Sequence, residues 1–320
     1  MDDLDILILK SLEENGNLSG PKLASLIGIG TRTLQRRMDN LRKKGVYKAV
    51  LIPDFKLFGL TAWARIGIKV DSSKLYQVAQ FLVERSYVNF VTLSFGTYNI
   101  FIEVTFPTLD RLTYFLSYEL NNIEGITDKE TILLEQPFKY YNHVWTNPVF
   151  NETTGSFKCE SYKPHKQYQP SDIDREIIHL QLSNGYMSSA DISKKLGVST
   201  SFVRMHLKNM KESQLIIVGV IINKNIMEYE AWATIGINIS NFNDKMFKFF
   251  VDNPNVYLAS LCIGRFDLLI AVHFQNIETL MEFINTTLVS VEGIKSIQTF
   301  LHGKPIKYIN TMLTDTFTLY

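Results

Sequence analysis

Residues 62–70 read AWARIGIKV, and residues 231–239 read AWATIGINI. The two stretches lie 169 positions apart, and the same offset links DLD at 3–5 to DID at 172–174, and Gly28-Ile29 to Gly197-Val198. Further on, EGI at 124–126 recurs at 292–294, and PFKYYN at 137–142 returns as PIKYIN at 305–310, both at an offset of 168. Unrelated segments do not keep register over such a distance, so the chain is one unit written twice, with one residue lost midway in the second copy.

Within the opening stretch the side chains alternate. Ala62, Ala64, Ile66, Ile68 and Val70 share one face of a strand, and Trp63, Arg65, Gly67 and Lys69 the other. A helix with Leu75, Val78, Ala79 and Leu82 follows at about 73–85. Two strands, NFVTLSF and YNIFIEVTF, are joined at Gly96; a second helix carries Leu109, Leu112, Phe115, Leu116 and Leu120, and ITDKETILL closes the unit. The order β-α-β-β-α-β is the ferredoxin-like arrangement. Both helices cover one sheet face, so the face with Trp63, and Trp232 in the second copy, needs a partner. The expectation is that the two sheets pack on each other within one chain.

Ahead of each sheet unit lie three short helices. Asp2, Asp3 and Asp5 open the first, where the helix dipole favours negative charge. Ser19 and Pro21 open the second, Gly28 and Gly30 stop it, Thr31 is placed to cap the third, and Gly45 ends that one. A glycine turn before the third helix is the helix-turn-helix pattern. VYKAVLI at 46–52 supplies a wing strand ended by Pro53. The fold class is α+β, two copies of a winged helix-turn-helix followed by a ferredoxin-like domain. The expected divisions are 1–53, first winged helix-turn-helix; 54–141, first ferredoxin-like domain; 142–170, linker; 171–222, second and degenerate winged helix-turn-helix; and 223–320, second ferredoxin-like domain.

The third helix, in GTRTLQRRMDNLRKKG at 30–45, carries the chemistry. Leu34, Met38 and Leu41 form a core stripe at helical spacing, with Arg32, Arg36 and Lys43 opposite. Such a helix meets base edges through its N-terminal half, where Arg pairs with guanine and Gln with adenine. Arg32, Thr33, Gln35 and Arg36 are therefore the base-reading candidates, and Arg37, Lys43, Lys44 and Lys48 the phosphate candidates. The second copy keeps the stripe as Val203, Leu207 and Met210 but turns Arg32 into Ser201, Arg36 into Met205, Arg37 into His206 and Lys43 into Glu212. The core does not need those arginines, so double-stranded DNA explains them; only the first copy is expected to read sequence, the second keeping Arg204, Lys208 and Lys211 for weak phosphate contact.

Net charge is only +1 over 320 residues, so this basic face is local and not a field of the whole protein. Two cysteines far apart argue for a reducing compartment, and the acidic N-terminus does not read as a signal peptide; the expected location is the cytoplasm, with no membrane contact. The six histidines lack metal-ligand spacing, and neither a nucleophile motif nor a phosphate loop is present, so no catalytic residue, metal or cofactor is expected.

This architecture resembles the Lrp/AsnC family of bacterial and archaeal transcription regulators, with its RAM-type effector domain. The resemblance rests on Asp2 to Asp5 with their helix, Leu23-Ala24, Gly28, Thr33, Arg37, Leu41, Gly45-Val46, PDFKLFGL and the Gly96 turn. It implies dimers through the sheet domains, larger assemblies, and small-molecule effectors, often amino acids, near sheet-domain interfaces. One reading helix per chain implies a homodimer if the operator is a palindrome, and with a pseudo-dimer of sheet domains in each chain that homodimer would resemble a family tetramer. The turn GRFD, with Gly264, Arg265 and Asp267, is the effector candidate; the first copy has Thr97 and Asn99 there. Its alternative is a turn chosen for backbone geometry. Two other readings compete with DNA binding: a tetrapyrrole enzyme similar to siroheme decarboxylases, and a protein that binds other regulators without DNA.

Overall fold

A computed structural model describes residues 1–15, 20–54, 59–135, 137–140, 143–144, 146–151, 156–161, 168–184, 187–213, 215–222, 229–308 and 311–312, the backbone alone for 13–15, 48–53, 143–161, 182–184, 217–222, 308 and 311–312. In chain order the elements of the first copy are α1 (Asp3–Asn15), α2 (Gly20–Ile27), α3 (Thr31–Lys43), β1 (Tyr47–Pro53), β2 (Ala62–Val70), α4 (Leu75–Val83), β3 (Val88–Phe95), β4 (Ile100–Phe106), α5 (Leu109–Tyr114), β5 (Ile126–Leu134) and β6 (Lys139–Tyr140). Three short strands follow: β7 (His143–Val144), β8 (Thr146–Asn151) and β9 (Ser156–Ser161). The second copy supplies α6 (Asp172–Asn184), α7 (Ser189–Leu196), α8 (Thr200–Glu212), β10 (Ile216–Ile222), β11 (Ala231–Ile239), α9 (Asp244–Asp252), β12 (Val256–Ile263), β13 (Leu268–Phe274), α10 (Ile277–Glu282), β14 (Ile294–His302), β15 (Lys307–Tyr308) and β16 (Thr311–Met312).

Compact units do not follow chain order. One joins residues 1–54 with 164–228, and the other joins 55–163 with 229–320. The winged helices pair with each other, and so do the sheets.

In the first unit, Ile8, Leu9, Leu12, Leu23, Ala24, Leu34 and Leu41 form the core of the first three-helix domain, with Met38 partly buried against it. Its wing strand does not fold back within its own copy. It pairs antiparallel with β10, from Tyr47 opposite Ile222 to Pro53 opposite Ile216. Val50 lies opposite Gly219, which is its own repeat counterpart. Exchanging the copies maps this register onto itself, so the ribbon has a pseudo-twofold axis at its centre. A lone strand leaves a row of backbone groups unpaired, and the copy provides the complementary edge.

In the second unit each copy builds a four-stranded sheet, β3-β4-β2-β5 and β12-β13-β11-β14. Ala64, Ile66 and Ile68 pack under Val78, Ala79 and Leu82 of α4 and Leu112 of α5, as the alternation predicts. The opposite face is buried too: Trp63 is 7% exposed, Arg65 1% and Trp232 2%. It meets the other sheet, with Phe101 and Phe300 rings 5.0 Å apart. Gly67 and its counterpart Gly236 sit beneath Tyr98 and Phe266. A Cβ would come within 2.6 and 2.5 Å of those rings, which only glycine avoids.

The repeated PFKYYN and PIKYIN segments cross over. β6 adds to β12 of the second copy, and β15 adds to β3 of the first. Each brings a lysine to the end of a helix in the other copy. Lys139 Nζ donates to the carbonyls of Phe250, Val251 and Asn253 at 3.2, 2.8 and 2.6 Å, and Lys307 Nζ to those of Val83 and Arg85 at 2.9 and 2.7 Å. Carbonyls at a helix C-terminus have no partner within the helix, and a cation there also meets the negative end of its dipole.

The segment 142–170, which by composition is an irregular linker, carries a hairpin. β8 pairs with β9 from Thr146 opposite Ser161 to Asn151 opposite Ser156. β-formers in TNPVF and SFKC outweigh the scattered polar residues once a partner strand is adjacent. Ser19, expected to open α2, lies outside the described residues.

Candidate nucleic-acid interface

α3 begins without a side-chain cap. Its N-cap is Gly30, not Thr31, which is already the first helical residue. The tight exit from α2, with Gly28 at φ 78° and Ile29 N donating to Ala24 O at 2.9 Å, leaves the cap position to an extended glycine. The C-terminus closes as expected. Gly45 has φ 67°, its N donates to Arg42 O at 3.0 Å, and Val46 N donates to Leu41 O at 2.9 Å, the double bond pattern of a glycine stop.

The buried stripe, with Leu34 1% and Leu41 3% exposed, fixes which face of α3 looks outward. Arg32, Gln35, Arg36, Asp39, Asn40 and Lys43 line an open hollow of about 740 Å³ together with Asp5 and Arg37. Arg32, Arg36, Lys43 and Lys44 are exposed and have no carboxylate partner among the described residues. Gln35 Nε2 donates to Asp39 at 3.3 Å, and Arg42 pairs with the same carboxylate at 3.1 Å. Thr33 is half-buried on the flank. Lys48 belongs to β1, and its side chain lies outside the described residues.

Arg37 departs from the phosphate role assigned by its wheel position. Its Nη1 reaches Asp2 at 2.8 Å and Asp5 at 2.7 Å, joining α3 to the start of α1. These two carboxylates raise its pKa further, and the Asp2 carboxyl is held below its ordinary value chiefly by the same hydrogen bond. The second copy repeats the tie with other chemistry. His206, the counterpart of Arg37, lies 2.8 Å from Asp174, the counterpart of Asp5. Burial pushes the Asp174 carboxyl up, but hydrogen bonds from Ser171, His206 and Tyr168 more than offset this and hold it below its usual range. Helix-dipole reasoning explains acids at the start of α1 and so conceals this pairing; the available signal is that Asp5 recurs as Asp174 while Arg37 is replaced by His206, another side chain able to bind a carboxylate.

The effector candidates lie at a hairpin tip of the second sheet. Asp267 Oδ2 accepts from Ile239 N at 2.9 Å, and Asn99 of the first copy ties Val70 in the same way at 2.7 Å. Both side chains pin the end of a sheet strand. Arg265 is half-exposed and faces Glu130 at 3.5 Å, and Gly264 has φ 135°.

Sequence reading missed a buried polar chain between the sheets. Arg65 Nε donates to Glu103 at 3.0 Å and Nη1 to Thr234 Oγ1 at 2.7 Å; His302 Nε2 lies 2.8 Å from Thr234 Oγ1, and Nδ1 lies 3.1 Å from Ser94 Oγ. Tyr140 donates to Glu103 at 3.1 Å. Burial opposes the Arg65 charge, but Glu103 and Tyr257 outweigh it and keep the guanidinium protonated. Burial, then the Arg65 charge, holds His302 well below its ordinary pKa. Its ring is therefore neutral, accepting from Thr234 and donating to Ser94. The alternation placed Arg65 on the outer face, but residues from six separate strands assemble the chain.

Residues 1–46 match the winged helix-turn-helix DNA-binding family, and residues 233–312 match the Lrp/AsnC ligand binding domain. An uncharacterised HTH-type transcriptional regulator of Pyrococcus furiosus is 34% identical over 142 residues, which span 95% of that protein and 44% of this chain. The chain belongs to the Lrp/AsnC family of transcription regulators. An uncharacterised relative in Pyrococcus horikoshii is 30% identical over 142 residues, 89% of its length and again 44% of this chain. Such relatives are thus about as long as one of the two copies. Residues 174–218 match the bacterial regulatory protein, arsR family. The siroheme decarboxylase NirDL shares the fold, with TM-score 0.58 and 16% identity over 96% of this chain and 93% of NirDL. Among the described residues no helix is long and apolar enough to cross a membrane.

Proposed function

We propose that the chain reads the DNA major groove with α3 and acts in the cytoplasm as a sequence-specific, non-enzymatic regulator. One observation carries this reading. Arg32, Arg36 and Lys43 stand exposed opposite the buried stripe, without carboxylate partners among the described residues, while the second copy keeps the stripe and drops these charges. Arg32, Thr33, Gln35 and Arg36 face base edges, and Lys43, Lys44 and Lys48 meet phosphates. Arg37 serves by fixing α3 on α1. Gln35 turns from Asp39 to an adenine edge when DNA arrives.

The sheet unit senses a small molecule such as an amino acid. Arg265, with Gly264 beside it, supplies a half-exposed cation for a carboxylate, and Asp267 supports the turn. The two sheet domains of one chain act as the pseudo-dimer, and two chains form a homodimer.

Selection of bound duplexes from a random pool by the full chain, followed by titration at several salt concentrations, tests the DNA reading. Enrichment of one sequence and affinity falling steeply with salt are expected; binding without sequence preference overturns it.

A further inference from the structure

The twofold register of the β1–β10 ribbon makes α8 the symmetry mate of α3. Ser201, Met205, Lys208 and Glu212 stand where α3 has Arg32, Arg36, Asp39 and Lys43. The central charges are lost or reversed, yet the face is not merely blank. Met205 is 48% exposed and Phe202 37%, on a helix whose other exposed residues include Arg204, Lys208 and Lys211. Met205 stands beside Ser201 at the centre, with Phe202 on one flank, Arg204 and Lys211 on the other, and Lys208 paired with Glu212 at 3.8 Å; an apolar side chain between these flanks complements a groove that carries methyl groups between phosphate rows. Phe202 is also held in place: its ring lies 4.4 Å from that of His206, which Asp174 anchors. The helix start is ordered by Ser199, whose hydroxyl accepts from Phe202 N at 3.1 Å.

We infer that α8 is a second reader, with Met205 and Phe202 packing on thymine 5-methyl groups while Arg204 and Lys211 meet phosphates. One chain then recognises an operator with unlike half-sites. The half under α3 is read through hydrogen bonds to guanine and adenine, and the half under α8 through thymine methyls. A homodimer of single-length relatives must present identical helices to both halves; a tandem chain is free of that restriction. The inference rests on the DNA-binding reading above.

Deoxyuracil differs from thymine only by the methyl, so it isolates the contact. The full chain is titrated at fixed salt against its selected duplex, with thymines replaced by deoxyuracil one half-site at a time. Replacement under α8 should weaken binding about fourfold for each contacted methyl, as burial of one carbon predicts. The Phe202→Ala/Met205→Ala variant should lose that discrimination, and both side chains are exposed enough to be removed without unfolding the domain. Met205→Arg should move the preference at one position from thymine to guanine. If deoxyuracil is neutral in both halves while Arg36→Ala still weakens binding and relaxes the preference at one position, the second reader is overturned and the DNA reading stands. The second reader is likewise overturned if the apolar variants bind DNA unchanged but lose a protein partner. Loss of all sequence preference in the unaltered chain would overturn both.

Discussion

Arg65 and Thr234 occupy the same position in the two copies, and they touch: Arg65 Nη1 donates to Thr234 Oγ1 at 2.7 Å. They meet where the two sheets face each other. Two identical chains would set arginine against arginine at such a place. Duplication lets one copy carry the cation with Glu103, while the other contributes a hydroxyl that accepts from Arg65 and donates to His302.

Removing one member of this chain should be costly. Arg65→Met leaves the 1%-exposed Glu103 buried without its cation, and loss of one partner of a buried pair costs about 3–5 kcal/mol. Denaturant titration should show this loss, and the double variant Arg65→Met/Glu103→Leu should recover much of it. If the single variant is as stable as the parent, the pair does not hold the interface.

The neutral His302 gives the sheet unit an acid sensitivity. The unfolded imidazole takes a proton as pH falls through about 6.5, and the folded one resists it, so the unfolded state binds more protons below that point. Stability should therefore fall on acidification below about pH 6.5, by up to about 1.4 kcal/mol per pH unit from this group. His302→Gln should flatten the slope of the melting temperature between pH 6.5 and 5. An unchanged slope would show that other groups govern it.

Arg36→Ala and Lys43→Ala should separate the two kinds of DNA contact. Loss of a base-reading arginine should cost about 1–3 kcal/mol and relax preference at one position, whereas loss of a phosphate contact should weaken all sequences alike and reduce the salt slope by about 1. Competition titrations against single-base operator variants distinguish these outcomes. Equal relaxation by both variants would contradict the assigned roles.

The exchanged lysines should stabilise the pairing of the copies. Lys139→Ala leaves three carbonyls at the end of α9 without this donor, and buried groups left unsatisfied cost about 1–3 kcal/mol. Amide hydrogen exchange should report faster opening in β12 and the last turn of α9 than in α4. Uniform protection in the variant would argue against a local role.

Mixing the chain with siroheme should leave the pigment's spectrum unchanged on warming. Arg65 and His302, two of the buried basic residues of the sheets, are already held by Glu103, Thr234 and Ser94. A spectral shift with release of carbon dioxide would favour the enzymatic reading.

The sequence alone determined the local elements, because their signals are local. Alternation in AWARIGIKV marks a strand, helical spacing of Leu34, Met38 and Leu41 marks a buried stripe, and Gly45 marks a helix stop. Comparison of the copies also showed that the core does not require Arg32 and Arg36. Tertiary structure decided which copy completes which. The pairing of Val50 with Gly219, the crossing of Lys139 and Lys307, and the contact of Arg65 with Thr234 join residues far apart in the chain. Each copy carries the same pattern, so the pattern cannot say whether a strand edge is filled from its own copy or from the other. The tie of Arg37 to Asp2 and Asp5 was hidden likewise. A helix wheel gives the direction of a side chain but not the carboxylates that a neighbouring helix brings beside it.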